Sequence, residues 1–325
     1  MDSPAVLAAR YRVTGATPRR PTRCRACRLA SSVASRLALC LALGGALALG
    51  WSAAVQAEWL FDVDAGARYE SNLTRAQQDP DIRADAAASL AASAASYLPL
   101  TGADGLTLAV DAATETWLRF HGLNLLSIGA TASYKHKFGI GYSVPWLSLA
   151  LSAAHEDYRS VIRDSNRYEA RAEAGQRFSE AFDASIGAVY DRRDARNDLP
   201  VVPGISGRVF EVRGKSAFVR AGYALNEQLH LGANFAVRRG DVVSTTRQNL
   251  AIFLASDAIA ADPAFGDDFF AYRLRGTTRT ATVTSSWALS DRSSLNFRYA
   301  DERTRAYEGL DYRGRIAELS LVFSY

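Results

Sequence analysis

The chain has 325 residues, 48% hydrophobic and 22% charged, with a formal net charge of +4 and a pI near 9.0. Eight of the 38 basic residues, but only Asp2 of the 34 acids, precede residue 58. The remainder therefore carries 30 basic and 33 acidic residues, and the basic surplus that would suggest a nucleic-acid partner belongs to the first segment. Cys24, Cys27 and Cys40 lie in that same segment, leaving residues 58–325 without a thiol for a disulfide, a thiolate metal site or a nucleophile.

Arginine-rich sequence up to Arg36 precedes an apolar run from Leu37 to Leu49 and then Val55-Gln56-Ala57, small residues at the positions a signal peptidase reads. Residues 1–57 are expected to be a cleaved signal peptide, because 13 apolar residues fall short of the roughly 20 that a spanning helix needs. Cys24 and Cys27 have no second pair to complete a zinc site. Cys40 follows Leu39 rather than a small residue, which argues against lipidation.

After residue 57 no stretch reaches 18 consecutive apolar residues, and the dominant period is two. Trp59, Phe61, Val63, Ala65, Ala67 and Tyr69 alternate with Asp62, Asp64, Gly66 and Arg68. A weaker Ala- and Ser-rich strand spans about Ile82 to Leu100. Leu106, Leu108, Val110 and Ala112 oppose Asp111 and Glu115, and Ile128 to Phe138 oppose Lys135 and Lys137. Leu147 to Ala153 give a fifth strand; in the sixth, Tyr168, Ala170, Ala172 and Ala174 alternate with Glu169, Arg171 and Glu173. Further strands centre on Ile186, Val219, Phe235, Val283 and Phe297, the last of these with Arg298 on its polar face. A parity slip between Phe210 and Phe218 predicts a bulge. The final strand sets Leu319, Leu321, Phe323 and Tyr325 opposite Glu318. The expectation is about twelve antiparallel strands over 58–325, closed as an up-and-down transmembrane barrel with apolar residues toward lipid and charges toward a wet lumen.

The connections support this, since short ones near Gly102, Ser143, Glu180, Asn226 and Asp291 alternate with longer ones near Gln77, Ile162, Val201, Asp257 and Arg305. The link from Phe120 to Gly122 is the exception. Trp59, Tyr97, Trp117, Tyr142, Trp146 and Trp287 fall near strand ends, where aromatic rings would sit at headgroup depth. The competing architecture is a secreted β-sandwich or propeller, in which the same apolar faces pack on each other.

The closing run Leu319, Leu321, Phe323, Tyr325, ending on an aromatic residue, resembles the C-terminal signal of Gram-negative outer-membrane β-barrels. The resemblance implies residence among outer-membrane lipids and recognition by the barrel-assembly machinery. The opening Gly66-Ala67-Arg68-Tyr69-Glu70-Ser71-Asn72-Leu73-Thr74-Arg75 is similar to the first strand of uncharacterised β-barrel porin proteins, some linked to surface polysaccharide or lipoprotein export.

The lumen candidates are Asp62, Asp64, Arg68, Asp111, Glu115, Lys135, Lys137, Glu169, Arg171, Glu173, Arg298 and Glu318, a mixture of signs that suits a hydrated pore or a salt-bridged plug. Leu250, Phe253 and Leu254 lie in the longest connection, within an apolar stretch from Asn249 to Ala261 that predicts a short helix folding into the mouth or capping it. The expected function is a channel for small hydrophilic or anionic solutes. The alternative is a non-conducting barrel that assists surface export, with a barrel hydrolase third. His155 and Asp157 share a strand face as a general-base pair could, but no catalytic residue, metal or cofactor is expected. Asp191, Asp194 and Asp198 read as a solvated loop rather than a calcium site.

Overall fold

The computed structural model describes residues 58–325; the expected signal peptide at 1–57 lies outside them. The chain forms thirteen strands: β1 Glu58–Glu70, β2 Asp85–Pro99, β3 Asp104–Trp117, β4 Leu125–Lys137, β5 Trp146–Tyr158, β6 Ser165–Arg177, β7 Phe182–Ala195, β8 Val212–Ala224, β9 Leu229–Thr246, β10 Ala258–Ala261, β11 Phe270–Ser290, β12 Ser293–Ala306 and β13 Asp311–Ser324. Twelve of them pair antiparallel with their sequence neighbours. β9 pairs directly with β11, and β13 closes on β1 from Asp62↔Ser324 to Glu70↔Ile316. This is a closed twelve-stranded barrel, with β10 added along the upper edge of β11.

Below the rim, closure of the twelve-stranded ring leaves no sheet edge, and the two faces of the wall differ as the period of two requires. On the outer face Phe61, Leu90, Val110, Leu151, Ile186, Val219, Phe235, Val283 and Leu319 are all exposed. An apolar wall of this extent is the surface that a lipid bilayer covers. Trp59 and Trp287 stand on this face too, at 45% and 53% exposure. Trp117 and Trp146, by contrast, point inward. Trp117 is buried near one mouth, and the Trp146 ring lies 4.6 Å from the Lys135 ammonium. Both strand ends therefore hold aromatics on each face, not a girdle alone.

No bulge interrupts β8, whose register with β7 and β9 is continuous. The parity slip marks an inward aromatic instead: Phe218 is buried against the backbone of Gly187, where a Cβ would come within 2.4 Å of its ring. The bulge that does occur separates Ala288 and Ser290 at the β11–β12 turn.

The end at which β1 begins and β13 ends has connections at 100–103, 138–145, 178–181, 225–228 and 291–292. The far end carries L1 (71–84), L2 (118–124), L3 (159–164), L4 (196–211), L5 (247–269) and L6 (307–310). The link around Ser143 is thus longer than expected and that near Arg305 shorter. Gly214, Gly240 and Gly276 are cross-strand partners on β8, β9 and β11. A Cβ on Gly240 would meet the Arg213 carbonyl at 2.2 Å, and its φ of +158° suits glycine. Above this row the β9–β11 tip makes contacts with loops from other parts of the rim.

Candidate functional site

The inward faces hold a graded set of charges. All twelve lumen candidates share the inward register, and most are tied to neighbours on adjacent strands. Ser324 Oγ donates to Asp62 at 2.6 Å and Ser320 Oγ to Asp64 at 3.0 Å. Higher on the same wall Arg68 lies 3.0 Å from Glu70 and 3.6 Å from Glu318, which also binds Arg298 at 2.8 Å. Glu115 faces this group with one carboxylate oxygen buried and unpartnered. The Asp111 carboxylate lies over Gly129, where a Cβ would come within 2.8 Å of it.

Across the lumen Arg171 donates to Glu173 at 2.7 and 3.0 Å, Ser185 Oγ donates to the other Glu173 oxygen at 2.7 Å, and the Arg171 guanidinium lies 4.5 Å above the Phe218 ring. Lys137 and Glu169 make no ion pair among the described residues. Two further belts join residues that the sequence did not group. Glu156, buried, takes Arg193 at 2.9 Å and Arg167 at 3.5 Å. Arg238 reaches Asp191 at 2.5 Å by passing over Gly214, where a Cβ would lie 2.3 Å from the guanidinium.

The far mouth is where the loops pack on one another. L5 contains a helix, α1 (Leu250–Ala255), whose first amides, on Ala251 and Ile252, donate to the Asn249 side chain. It then runs into β10, so the expected helix to Ala261 gives way to a strand after one and a half turns. Leu250 and Leu254 are exposed at 73% and 71%, Phe253 is half-buried, and Ile252 is the buried anchor. Ile252 and Ile259 pack with Tyr272, Leu274, Leu310 and Tyr312, joining L5 to β11, L6 and β13. A second cluster joins Ala258 and Ala260 to Ile162 of L3 and Phe210 of L4, and a third joins Phe265 and Phe269 to Trp117 and Leu123. Asp262, fully buried, binds Arg163 of L3 at 2.5 Å and accepts from Thr245 at 3.1 Å.

L1 crosses the mouth as well. Thr245 N donates to the Thr74 carbonyl at 2.7 Å and Ser244 Oγ to the Arg75 carbonyl at 2.8 Å, although β9 stands four strands from β1 around the ring. Buried Asn72 holds the turn: its amide donates to the carbonyls of Ala76 and Arg313, and its oxygen accepts from Ala76 N and Thr74 Oγ1. Arg75 sits at the apex with φ +50°, alone among the described non-glycine residues in being left-handed. Such a backbone costs roughly 1–2 kcal/mol and persists because the surrounding bonds over-determine it. The residue is exposed, and its side chain makes no ion pair or hydrogen bond among the described residues. Enclosure by the wall works against its charge, but Glu302, Tyr312, Glu70 and Tyr158 outweigh that and hold its pKa above the ordinary arginine value. Glu302 on β12 and Tyr158 on β5 belong to strands diametrically opposite in the ring, so groups on facing walls bear on the same guanidinium.

The remaining candidates scatter. His155 lies 3.5 Å from Asp157 on the outer face, but its ring nitrogens meet Asn166 and Arg196 and no hydroxyl among the described residues. Asp191, Asp194 and Asp198 pair with Arg238, Arg192 and Arg208 respectively and do not converge.

No protein-family model and no curated protein matches the sequence. Among solved structures, an outer-membrane channel from Pseudomonas putida F1 aligns with a TM-score of 0.50 at 11% identity, over 85% of this chain and 98% of that one. The NanC porin aligns at 0.45 with 9% identity, over 80% and 98%, and the outer membrane channel DcaP of Acinetobacter baumannii at 0.43 with 9% identity, over 85% and 99%. At such identities the likeness concerns architecture, and by it the chain has the fold of a bacterial outer-membrane β-barrel.

Proposed function

We propose that this chain is an outer-membrane channel for small hydrophilic solutes, with L1 and L5 forming its constriction and Arg75 setting a preference for anions. The observation that carries this reading is an unpaired guanidinium held at a strained backbone position, where groups on opposite walls bear on it. With no carboxylate bound to it, the guanidinium keeps its charge and its forked donors available to a passing anion. In this reading the termini face the periplasm, the wall contacts outer-membrane lipids, and the β13 terminus, from Leu319 to Tyr325, engages the barrel-assembly machinery. The small mixed-sign pairs below the mouth give a polar path without a strong single-sign field.

The three apolar clusters across the mouth favour one other reading, a closed barrel serving as an anchor for surface export. Recording from the purified barrel in planar bilayers under a KCl gradient separates the two. The expected result is stable single-channel steps with a reversal potential on the anion side, shifted toward cations by Arg75→Gln and further by Arg75→Glu. Electrical silence of a folded, heat-modifiable barrel would overturn the channel reading and favour the anchor.

A further inference from the structure

The outer wall is basic on one side only. The outward faces of β1 to β6 carry no Lys or Arg, whereas those of β8 to β13 carry a compact basic field just below the glycine row. Lys215 and Arg239 are direct cross-strand partners, as are Arg279 and Arg303, and Arg303 and Arg313. Like charges placed opposite one another in a sheet repel. Asp301 offsets only part of this, binding Arg313 at 2.6 Å and lying 3.5 Å from Arg303. Lys215, Arg239 and Arg279 are exposed and form no ion pair among the described residues, while Arg315 stands opposite Asp301 in the ladder without bonding it.

Height matters as much as charge. On β11 the outward residues run Leu289, Trp287, Ser285, Val283, Ala281 and then Arg279, with Ala317, Leu319 and Leu321 in the same order below Arg315 on β13. Ten residues at about 3.4 Å each, tilted by roughly 40°, rise about 26 Å. An outer-membrane barrel has an apolar band about 25 Å tall, so the basic field begins where that band ends, at the end of the barrel carrying the long loops.

We propose that this face binds the phosphorylated headgroup of an outer-leaflet glycolipid, with the acyl chains lying on the apolar residues directly beneath. A surface at this depth is covered by lipid of necessity, and forked guanidinium groups on adjacent strands match phosphate oxygens in charge and geometry. The proposal rests on the outer-membrane reading but not on conduction, because these side chains lie outside the lumen.

The test uses the full mature barrel in phosphatidylcholine nanodiscs, titrated with bis-phosphorylated lipid A, its dephosphorylated counterpart and phosphatidylglycerol, with bound lipid counted by native mass spectrometry. The expected result is at least tenfold tighter retention of bis-phosphorylated lipid A than of either other lipid. That preference should vanish in R279Q/R303Q/R313Q and survive only in part in the corresponding triple Lys variant, which keeps the charge but not the fork. Equal retention of the dephosphorylated form, or of phosphatidylglycerol, overturns the proposal, as does an unchanged preference in the Gln variant. Should the Gln variant fail to fold, the wild-type comparison among the three lipids still decides. Single-channel conductance of the folded Gln variant is expected to equal wild type, which keeps this result separate from the channel reading.

Discussion

Replacing Asp262 with Ala should release L5 from the rim. Its carboxylate is fully buried and Arg163, its partner across the mouth, is 13% exposed, so the substitution leaves a guanidinium wedged between Phe210 and Phe265 with no counter-charge. Removing one partner of a buried pair costs about 3–5 kcal/mol. At about 1.4 kcal/mol per tenfold, the open population of L5 should rise by roughly a hundredfold or more. Trypsin cleavage after Arg247 in the folded barrel reads that population when reclosing is faster than cutting. One Asp262 oxygen and the Arg163 Nε have no partner, so the pair already carries an uncompensated desolvation cost. The double variant Arg163→Met/Asp262→Leu should therefore return cleavage to near the wild-type rate. A single variant cleaved within twofold of wild type, or a double variant as labile as the single, would refute the view that this pair pins the loop.

Cysteine at Arg171 should react with a small charged thiol reagent while cysteine at Ala172 resists it in a bilayer; exchanged results would invert the wall. The Arg247 bond lowers the Asp268 pKa, so its contribution to holding L5 is present above the unfolded carboxylate pKa and is lost as pH falls through the lower folded value. A spin label at Leu250 should accordingly gain mobility below about pH 4, and Asp268→Asn should show that mobility at pH 7. Removing residues 323–325 deletes the mutual Phe61–Tyr325 backbone bonds, of 2.8 and 3.2 Å, and should leave export intact while lowering the yield of heat-modifiable barrel; wild-type yield would count against an assembly role.

Twelve strands were legible because lipid on one side and water on the other impose a period of two wherever the wall crosses the membrane. The signal failed where that contrast ends. β9 continues to Thr246 and β11 begins at Phe270, but there both faces turn polar or pack under loops, so alternation no longer marks a strand. Phe218 misled because an apolar residue on the water side looks like a slip unless the opposing glycine is paired with it in space. β10 was hidden because Ala258 and Ala260 favour a helix by propensity, while the edge of β11 offers them a ladder. Arg75 carried no signal of its own: the turn that places it has anchors, Asn72 and Ser244, that lie far apart in sequence.

The closing pair Asp62↔Ser324 joins residues 262 apart in sequence, with the Ser324 hydroxyl bound to the Asp62 carboxylate. Against a two- to four-residue hairpin turn, loop closure over that distance in a disordered chain costs about 4 kcal/mol more in entropy. A chain that first zips its eleven neighbour-to-neighbour ladders escapes that penalty, because a curled ribbon already holds its ends near one another. The kinetic order follows: hairpins form early and the seam forms last. Until then β1 and β13 each show a row of unsatisfied amides and carbonyls to whatever lies alongside.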